Sequence, residues 1–287
     1  MICVTTTQIY CKIRIKIGIN KIKEKMKKMS FLMLLFAVIL SACSTVPLTD
    51  RRQFILVSDQ EVLALGLDSY NEYISTAELS PDSVSAKMVE RCGTKIQKAV
   101  EDYLASVGLT SQISGYTWEY VLTHDSTANA FCLPGGKVVV YDGLLPFTKN
   151  EDELAVVIGH EIAHAVAKHS NERISQEMIL STGSQTLSTI LSGKSETAQL
   201  WGETIFGLGA NYGIMLPFSR KQEYEADKLG LIFMTMAGYD PSVAVSFWEA
   251  MSTGAVSMPE FMSTHPSDAN RIAAINELLP EMEQYKK

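Results

Sequence analysis

Long apolar segments are scarce in this 287-residue sequence, although 46% of its residues are hydrophobic. The longest unbroken apolar run extends only from Phe31 to Leu40. A helix that spans a bilayer needs about 20 apolar residues, so this run is too short to be one. The overall apolar fraction is that of an ordinary globular protein with a buried core. The sequence therefore predicts a globular body with no membrane-spanning segment after Cys43.

The short apolar run indicates a targeting segment instead. Basic residues precede it and small residues follow it, which is the layout of a secretory signal. Its last residues, Leu40-Ser41-Ala42-Cys43, resemble the lipobox of bacterial lipoproteins, in which the cysteine carries the lipid. We therefore predict that residues 1–42 are removed and that residues 43–57 form a lipidated tether and arm. An ordinary signal peptide that ends near a cysteine is the alternative.

Basic residues also become scarce once residues 1–42 are set aside. That segment holds eight of the 25 Lys and Arg residues but one of the 32 Asp and Glu residues, which leaves 17 bases against 31 acids. A net charge near −14 repels the phosphates of nucleic acids and the headgroups of anionic lipids. The composition thus excludes nucleic acid as a partner.

Cysteine is rare, with five in the whole chain. Cys3 and Cys11 leave with the signal segment, and Cys43 takes the lipid. Cys92 and Cys132 remain, and an exported protein lies in an oxidising compartment. A Cys92–Cys132 disulfide is one hypothesis, and closing so long a loop would stabilise the fold by roughly 3–4 kcal/mol. Two buried free thiols are the alternative.

The sequence also lacks internal repeats and Pro/Gly-rich linkers, so residues 58–287 are predicted to form a single domain. Apolar positions recur about every four residues in 84–103, which indicates a helix. The period changes to two in 116–122 and 129–143, which predicts strands. Helical patterns return from Asn150 onward. A small sheet set among many helices predicts an α+β fold.

One of the later helices carries the motif His160-Glu161-Ile162-Ala163-His164, an HExxH. Histidines four residues apart lie on one helical face, so both imidazoles can reach one metal ion. Glu161 is close enough to act on a water at that metal without binding the metal itself. A chance match on a solvated helix is the alternative, but the apolar neighbours of the motif indicate a buried helix. The motif predicts one zinc ion, Zn²⁺.

A catalytic zinc needs a third protein ligand and leaves a further position for water. The segment "RKQEYEAD" offers Glu223 and Asp227, which are four apart on a predicted helix and share a face. This spacing predicts that Glu223 binds the metal and that Asp227 holds a ligating imidazole. Glu225 lies on the opposite face and is expected in solvent. His169, five residues after His164, is expected to point away from the metal.

Four blocks in this order resemble the HtpX and CAAX-prenyl-protease family of zinc metallopeptidases, and most closely its soluble bacterial lipoprotein branch. They are "NAFCLPGG", "GHEIAHAVAKHSNERIS", "SRKQEYEADKLG" and "THPSDANRI". The resemblance runs over nearly the whole chain after the signal segment. It implies a mostly helical zincin (gluzincin) metalloprotease domain with a small β-sheet. Some members of the family have several membrane spans, which this sequence lacks.

The resemblance assigns roles to individual residues. It implies that His160, His164 and Glu223 bind zinc, that Glu161 is the general base, and that Asp227 orients a ligand. It also implies that Asn129 and Ala130, on an edge strand, hold the substrate backbone. The alternative is that they only begin a core strand.

His265 and Arg271 lie in the block "STHPSDANRI". The resemblance implies that His265 covers the zinc in a resting state or acts in catalysis, and that Arg271 binds the substrate carbonyl. A residue at a helix entry is the alternative for His265. A surface ion pair is the alternative for Arg271.

Together these features predict a zinc metalloendopeptidase that faces the periplasm and is attached to the membrane through a lipid on Cys43. Ser44, which is not Asp, favours the outer membrane under the usual sorting rule. The expected substrates are unfolded or misassembled envelope proteins. The rival hypothesis is a zinc-containing periplasmic chaperone or assembly factor with little turnover. Glu161 argues against it, because a structural zinc site needs no base beside the metal.

Overall fold

The structure is a computed structural model, and it describes residues 23, 25–30, 43–46, 48–181, 218–252, 259–266 and 269–286. The predicted signal segment therefore lies largely outside the described residues. The backbone divides into two units, and the strands of the first form a small hairpin. Strands β1 (Cys43–Thr45) and β2 (Arg52–Phe54) pair antiparallel in this hairpin.

The second unit comprises Val46–Arg51 and Ile55–Lys287. Its first helix, α1 (Asp59–Thr76), begins with a capping box in which the Ser58 and Glu61 side chains bond each other's backbone N–H. Helix α2 (Ser83–Ser106) begins at Asp82, whose carboxylate accepts from two N–H groups of the first turn. One face of α2 is buried in the core. The buried apolar residues on that face are Val89, Cys92, Ile96, Ala99, Val100 and Leu104.

Three strands form the sheet of this unit: β3 (Glu119–Thr123), β4 (Ala130–Leu133) and β5 (Lys137–Tyr141). Their order is β3-β5-β4, with β3 parallel and β4 antiparallel to the central β5. The turn between β4 and β5 uses Gly135 and Gly136 at φ 93° and 83°, a region that glycine enters without strain. In the order β3-β5-β4, strand β4 forms one edge of the described sheet.

Two long helices pack against each other beside this sheet. Helix α3 (Glu151–Val166) begins at Asn150, whose side chain accepts from the backbone of the first turn. After the short α4 (His169–Ser181), helix α5 (Arg220–Met236) begins with a capping box. A Cβ on Gly230 of α5 would lie only 3.0 Å from the backbone nitrogen of His160 on α3. The glycine therefore allows the close helix–helix approach at the HExxH motif.

Three further helices complete the described core, together with short 3-10 turns at Thr110–Ile113, Asp142–Phe147 and Glu283–Tyr285. They are α6 (Val243–Ser252), α7 (Pro259–Thr264) and α8 (Ala269–Met282). Many helices around one small mixed sheet confirm the predicted α+β fold. Within the described ranges, no helix is both long enough and apolar enough to cross a membrane.

The two cysteines of the core are free thiols, which corrects the predicted Cys92–Cys132 disulfide. Cys92 lies on α2, where burial raises its pKa to about 12. Cys132 lies on β4, and burial also raises its pKa. Disulfide formation proceeds through a thiolate, and burial of both groups favours the protonated thiol. The alternative of two buried thiols is the observed state.

Candidate active site

Three side chains of the predicted metal site meet between α3 and α5. The Nε2 atoms of His160 and His164 lie 3.0 Å apart. The Glu223 carboxylate lies 3.4 Å from each of them, through Oε2 to His160 and Oε1 to His164. All three side chains are buried, so the donors converge in a site shielded from water.

The donor set fits a zinc ion. His160, His164, Glu223 and His265 each offer one ligand atom, and these atoms lie within 4.8 Å of one another. Two imidazoles and a carboxylate are the ligands of a gluzincin site. Among the described residues, Glu161 Oε1 and Glu223 Oε2 are buried and accept no hydrogen bond of good geometry, although His265 Nε2 lies 3.3 Å from the first and Arg271 Nη1 lies 2.6 Å from the second. A metal ion among the donors would give these oxygens the direct partner that buried polar atoms normally have.

Asp227 lies where the sequence predicts it, behind a metal ligand. Its Oδ1 is 3.0 Å from Nδ1 of His160, the ring nitrogen that faces away from the other donors. Burial alone would raise the pKa of Asp227, but Arg271 and His160 together hold it below its usual value. The carboxylate is therefore ionised and can fix the tautomer of His160.

Glu225 lies in a different environment from the one that the sequence predicts, and it contacts His169. Glu225 is buried, and its Oε2 lies 2.8 Å from Nε2 of His169. His169 is also fully buried, with its Nδ1 2.7 Å from Nδ1 of His164. The prediction that Glu225 faces solvent is therefore wrong. His169 lies outside the group of metal donors, as the sequence predicts, but it contacts the far side of the ligand His164. Lys168 has a positive φ of 59° between α3 and α4. This conformation interrupts the helix, and His169 turns back toward His164.

Glu161 occupies the position of a general base. Its side chain is buried beside the ligands, and its Oε1 lies 3.3 Å from Nε2 of His265. Burial raises the pKa of Glu161 to about 7, although His265 opposes this shift. A carboxylate with a pKa near neutrality can both accept and return a proton.

His265 lies among the metal ligands. Its Nδ1 is 3.2 Å from Nε2 of His160 and 3.2 Å from Oε1 of Glu223. The ring is buried and stacks on Phe261, with the ring centroids 4.7 Å apart. This position agrees with the expectation that His265 covers the site. It also removes the alternative of a simple residue at a helix entry.

Arg271 is buried and therefore does not form a surface ion pair. Its guanidinium contacts Asp227 in a bidentate pair, at 2.5 Å and 2.7 Å, and Glu223 at 2.6 Å. It also lies over the ring of Trp248, 3.9 Å from the centroid. These contacts hold the two carboxylates of α5 in place. Contact between Arg271 and a substrate carbonyl stays a prediction.

The edge strand β4 lines a cleft next to the donors. The cleft and its open mouth enclose about 430 Å³. Its walls include Asn129, Ala130, Cys132, Glu161, His164, Arg173, Phe218 and His265. The side chain of Asn129 accepts from the backbone N–H of Ala130 at 2.9 Å. The predicted substrate strand thus lies within the same cleft as Glu161 and His164.

Comparisons with known proteins agree with this geometry. Residues 93–279 match the model of peptidase family M48. Over 241 residues the chain is 37% identical to the mitochondrial metalloendopeptidase OMA1 of Schizosaccharomyces pombe, a match that covers 82% of this chain and 66% of the relative. OMA1 of Saccharomyces cerevisiae is 32% identical over 82% of this chain and 68% of its own length. The beta-barrel assembly-enhancing protease of Escherichia coli is 30% identical over 54% of this chain and 33% of its own length.

The chain belongs to peptidase family M48, and its donor set is that of a zinc metalloendopeptidase. It spans about two thirds of the length of the two OMA1 relatives and about one third of the Escherichia coli protease. The resemblance to a family of zinc metallopeptidases is thereby confirmed, but its bacterial lipoprotein branch is not, because the OMA1 relatives match more of the chain than the Escherichia coli protease does.

The predicted location is corrected by the same comparisons. The relatives that match 82% of the chain are mitochondrial metalloendopeptidases, and this contradicts an outer-membrane lipoprotein facing the periplasm. The location was predicted from short apolar and lipobox-like patterns, which are local features of a few residues and do not determine the compartment. The match to the relatives extends over most of the chain.

Proposed function

We propose that the whole protein is a zinc metalloendopeptidase that cleaves extended segments of unfolded or misassembled proteins. The observation that carries the proposal is the position of Glu161. It is buried between the converging donors His160, His164 and Glu223 on one side and the cleft beneath β4 on the other. A site that only stabilised the fold would not need a carboxylate there.

The chemistry follows from the chain's own side chains. Zinc, when bound by His160, His164 and Glu223, polarises the peptide carbonyl and lowers the pKa of a water toward ~7. Glu161 accepts the proton of the attacking water and then delivers it to the nitrogen that leaves. The same group serves both steps because its pKa of about 7 lies near the working pH.

Strand β4 supports an extended substrate. It pairs with β5 on one side, and in the described sheet no strand pairs with its other side. An extended peptide can add to such an edge through backbone hydrogen bonds, which depend little on sequence. Asn129 and Ala130 begin this edge beside the cleft that contains Glu161. This mode suits unfolded chains, because a folded substrate has no free extended backbone to offer.

The substitution Glu161→Gln tests the proposal. It keeps the shape of the side chain but removes the proton acceptor, so cleavage of an unfolded protein such as casein should fall by at least ~100-fold. The measurement is casein cleavage at matched zinc content, with Glu277→Gln on the exposed side of α8 as control. Cleavage at the wild-type rate in a zinc-loaded Glu161→Gln protein would overturn the proposal.

A binding protein with little turnover is the second candidate. The observation that favours it is the contact of His265 with His160 and Glu223, which covers the donors. Binding of casein by wild type and Glu161→Gln alike, with cleavage by neither, would support this candidate.

Attachment to a membrane through a lipid on Cys43 is also a proposal, based on the residues around that cysteine. Mass spectrometry of the mature N-terminal peptide tests it. An added acyl mass on Cys43 is expected, and an unmodified peptide that begins elsewhere would contradict it.

A further inference from the structure

His164 makes a close contact on the side away from the metal donors, with a residue that the proposed mechanism does not use. Its Nε2 faces Nε2 of His160 at 3.0 Å, whereas its Nδ1 faces Nδ1 of His169 at 2.7 Å. The second nitrogen of His169, Nε2, lies 2.8 Å from the carboxylate of Glu225. All three side chains are buried. The result is a continuous chain of polar contacts from His164 through His169 to Glu225.

We call these contacts, His164–His169–Glu225, the relay. The residues at its two ends determine which atoms donate and which accept. A carboxylate accepts, so Nε2–H of His169 donates to Glu225. A neutral imidazole that donates through Nε2 leaves its Nδ1 as an acceptor, and Nδ1 of His169 is the atom that faces His164. Nδ1–H of His164 then donates to His169, and the lone pair on Nε2 of His164 points toward the other metal donors. The relay thus selects the tautomer of His164 that can bind a metal.

Glu225 is in turn held by the segment that precedes α1. Nε of Arg51 donates to its Oε2 at 2.5 Å, and Oγ1 of Thr49 donates to its Oε1. Arg51 also pairs with Glu172 of α4 at 2.9 Å, and Glu172 accepts from Gln222 of α5 at 2.8 Å. The carboxylate cannot rotate without breaking several charge-assisted bonds. Segment Val46–Arg51 therefore fixes the far end of the relay.

We propose that His169 is a positioning residue for the zinc ligand His164, and that Glu225, clamped by Arg51, holds His169 in the required orientation. The proposal rests on the proposed function of the metal site. It gives the two zinc imidazoles different supports: Asp227 holds His160 directly, and Glu225 holds His164 through His169. It also makes zinc affinity depend on the N-terminal segment Val46–Arg51.

The main test compares zinc dissociation constants, measured by competition with a chelator. His169→Ala removes the acceptor for Nδ1–H of His164 and should weaken zinc binding on the order of 10–100-fold. His169→Asn should recover part of this loss, because its side-chain oxygen can accept near the position of Nδ1. His124→Ala, which removes an exposed imidazole that pairs with Asp142, is the matched control and should bind zinc like wild type.

A ligand-field measurement separates positioning from a general loss of stability. In cobalt-substituted protein, the visible absorption bands report on the ligand geometry. They should shift in His169→Ala and return toward wild type in His169→Asn, whereas a residue that only filled space would leave them unchanged. If His169→Ala does not fold, His169→Asn is compared with wild type instead. It should bind zinc more weakly than wild type, because it recovers only part of the loss. The proposal is overturned if folded His169→Ala binds zinc within twofold of wild type. If only His169→Asn folds, a zinc affinity within twofold of wild type together with unshifted bands overturns it.

Arg51→Ala tests the part that belongs to the N-terminal segment. It should weaken zinc binding severalfold, while Arg91→Ala, which breaks an exposed pair with Glu151, should not. An unchanged zinc affinity in Arg51→Ala would overturn the role of the segment. These measurements need no substrate. Failure of the relay would therefore appear as unchanged zinc binding, and failure of the proposed function as absent cleavage with zinc bound.

Discussion

At the scale of single residues, Glu161 and Glu223 show how one buried site produces two different carboxylates. Burial raises the pKa of Glu161 to about 7. Burial would raise the pKa of Glu223 as well, but His265 and Arg271 hold it well below its usual value. Pairs of titratable groups whose surroundings push their pKa values apart identify proton carrier and fixed charge. These surroundings suit Glu223 to the proposed role of a permanently anionic ligand and Glu161 to the proposed role of proton carrier.

His265 lies against the metal donors. Its ring contacts His160 and Glu161, and we expect it to compete with a substrate carbonyl for this space. We predict that His265→Ala increases casein cleavage severalfold at equal zinc content. The increase should appear in kcat/KM, because the variant removes a competitor for the same space. Complete loss of cleavage with zinc still bound would contradict this and would assign His265 a role in catalysis.

Arg271 compensates the buried charges of α5. Its removal leaves Asp227 and Glu223 without their cation, and uncompensated buried charge is strongly destabilising. We predict that Arg271→Ala lowers the free energy of unfolding by about 3–5 kcal/mol in urea titrations of the metal-free protein. Arg271→Lys should recover only part of this, because an ammonium group cannot form the bidentate pair with Asp227. Equal stability of wild type and Arg271→Ala would contradict the prediction.

At the scale of secondary structure, the close contact of α3 and α5 controls the distance between the two halves of the metal site. Gly159 and Gly230 face each other, and a Cβ on Gly159 would lie 3.1 Å from the carbonyl oxygen of Gly230. The atoms on both sides are backbone, so neither helix can relieve the overlap by turning a side chain. His160 and His164 on α3 thus come close to Glu223 on α5 because neither glycine has a side chain.

Gly230→Ala tests this contact. Replacement of glycine by alanine inside a helix normally stabilises it by up to about 1 kcal/mol. Here we predict the opposite sign, a loss of about 1–3 kcal/mol from overpacking, with weaker zinc binding because α5 moves away from His160. Urea unfolding and chelator competition measure the two effects. A stabilised variant with normal zinc affinity would contradict the prediction, because it would show that the contact between α3 and α5 accommodates the added methyl group.

The same elements show what the sequence could and could not predict. The helix starts at Ser58, Asn150 and Ser219 depend on side chains within three residues of each cap, so such starts can be recognised in the sequence. Val84, by contrast, begins the apolar pattern of 84–103 but is exposed, because the helix begins only one residue earlier and its first turn lies outside the core.

The buried position of Glu225 and the contacts of His169 could not be predicted, for a different reason. A helical wheel assigns one face to solvent, but α5 is buried on nearly all sides, so Glu225 has no solvent face to occupy. His169 was placed by continuing α3, whereas that helix ends at Val166 and a new one begins at His169. The buried position of Glu225 and the contact of His169 with His164 depend on tertiary contacts and on where a helix ends, which residue spacing does not contain. The HExxH motif and its Glu-x-x-x-Asp partner were predictable, because each lies within a single helix.

At the scale of the whole molecule, the metal should contribute to folding as well as to catalysis. The site brings imidazole and acidic groups from α3, from α5 and from His265 at the end of α7 into one buried cluster, which a bound cation would hold together. A ligand that binds only the folded state stabilises it by about 2.7 kcal/mol at a free concentration 100 times its dissociation constant. For a domain of this size, that corresponds to a rise of roughly 5–10 °C in unfolding temperature.

We therefore predict that zinc raises the unfolding temperature of the chelator-treated protein by roughly this amount and that a chelator reverses the shift. Calorimetry or circular dichroism with increasing zinc measures it. Glu223→Ala should show little or no shift because it has lost the carboxylate ligand, whereas Glu277→Ala, on the exposed side of α8, should respond like wild type. An equal zinc-induced rise in Glu223→Ala and wild type would mean that the stabilising ion binds elsewhere. The His-His-Glu cluster would then not be the site through which the metal stabilises the fold.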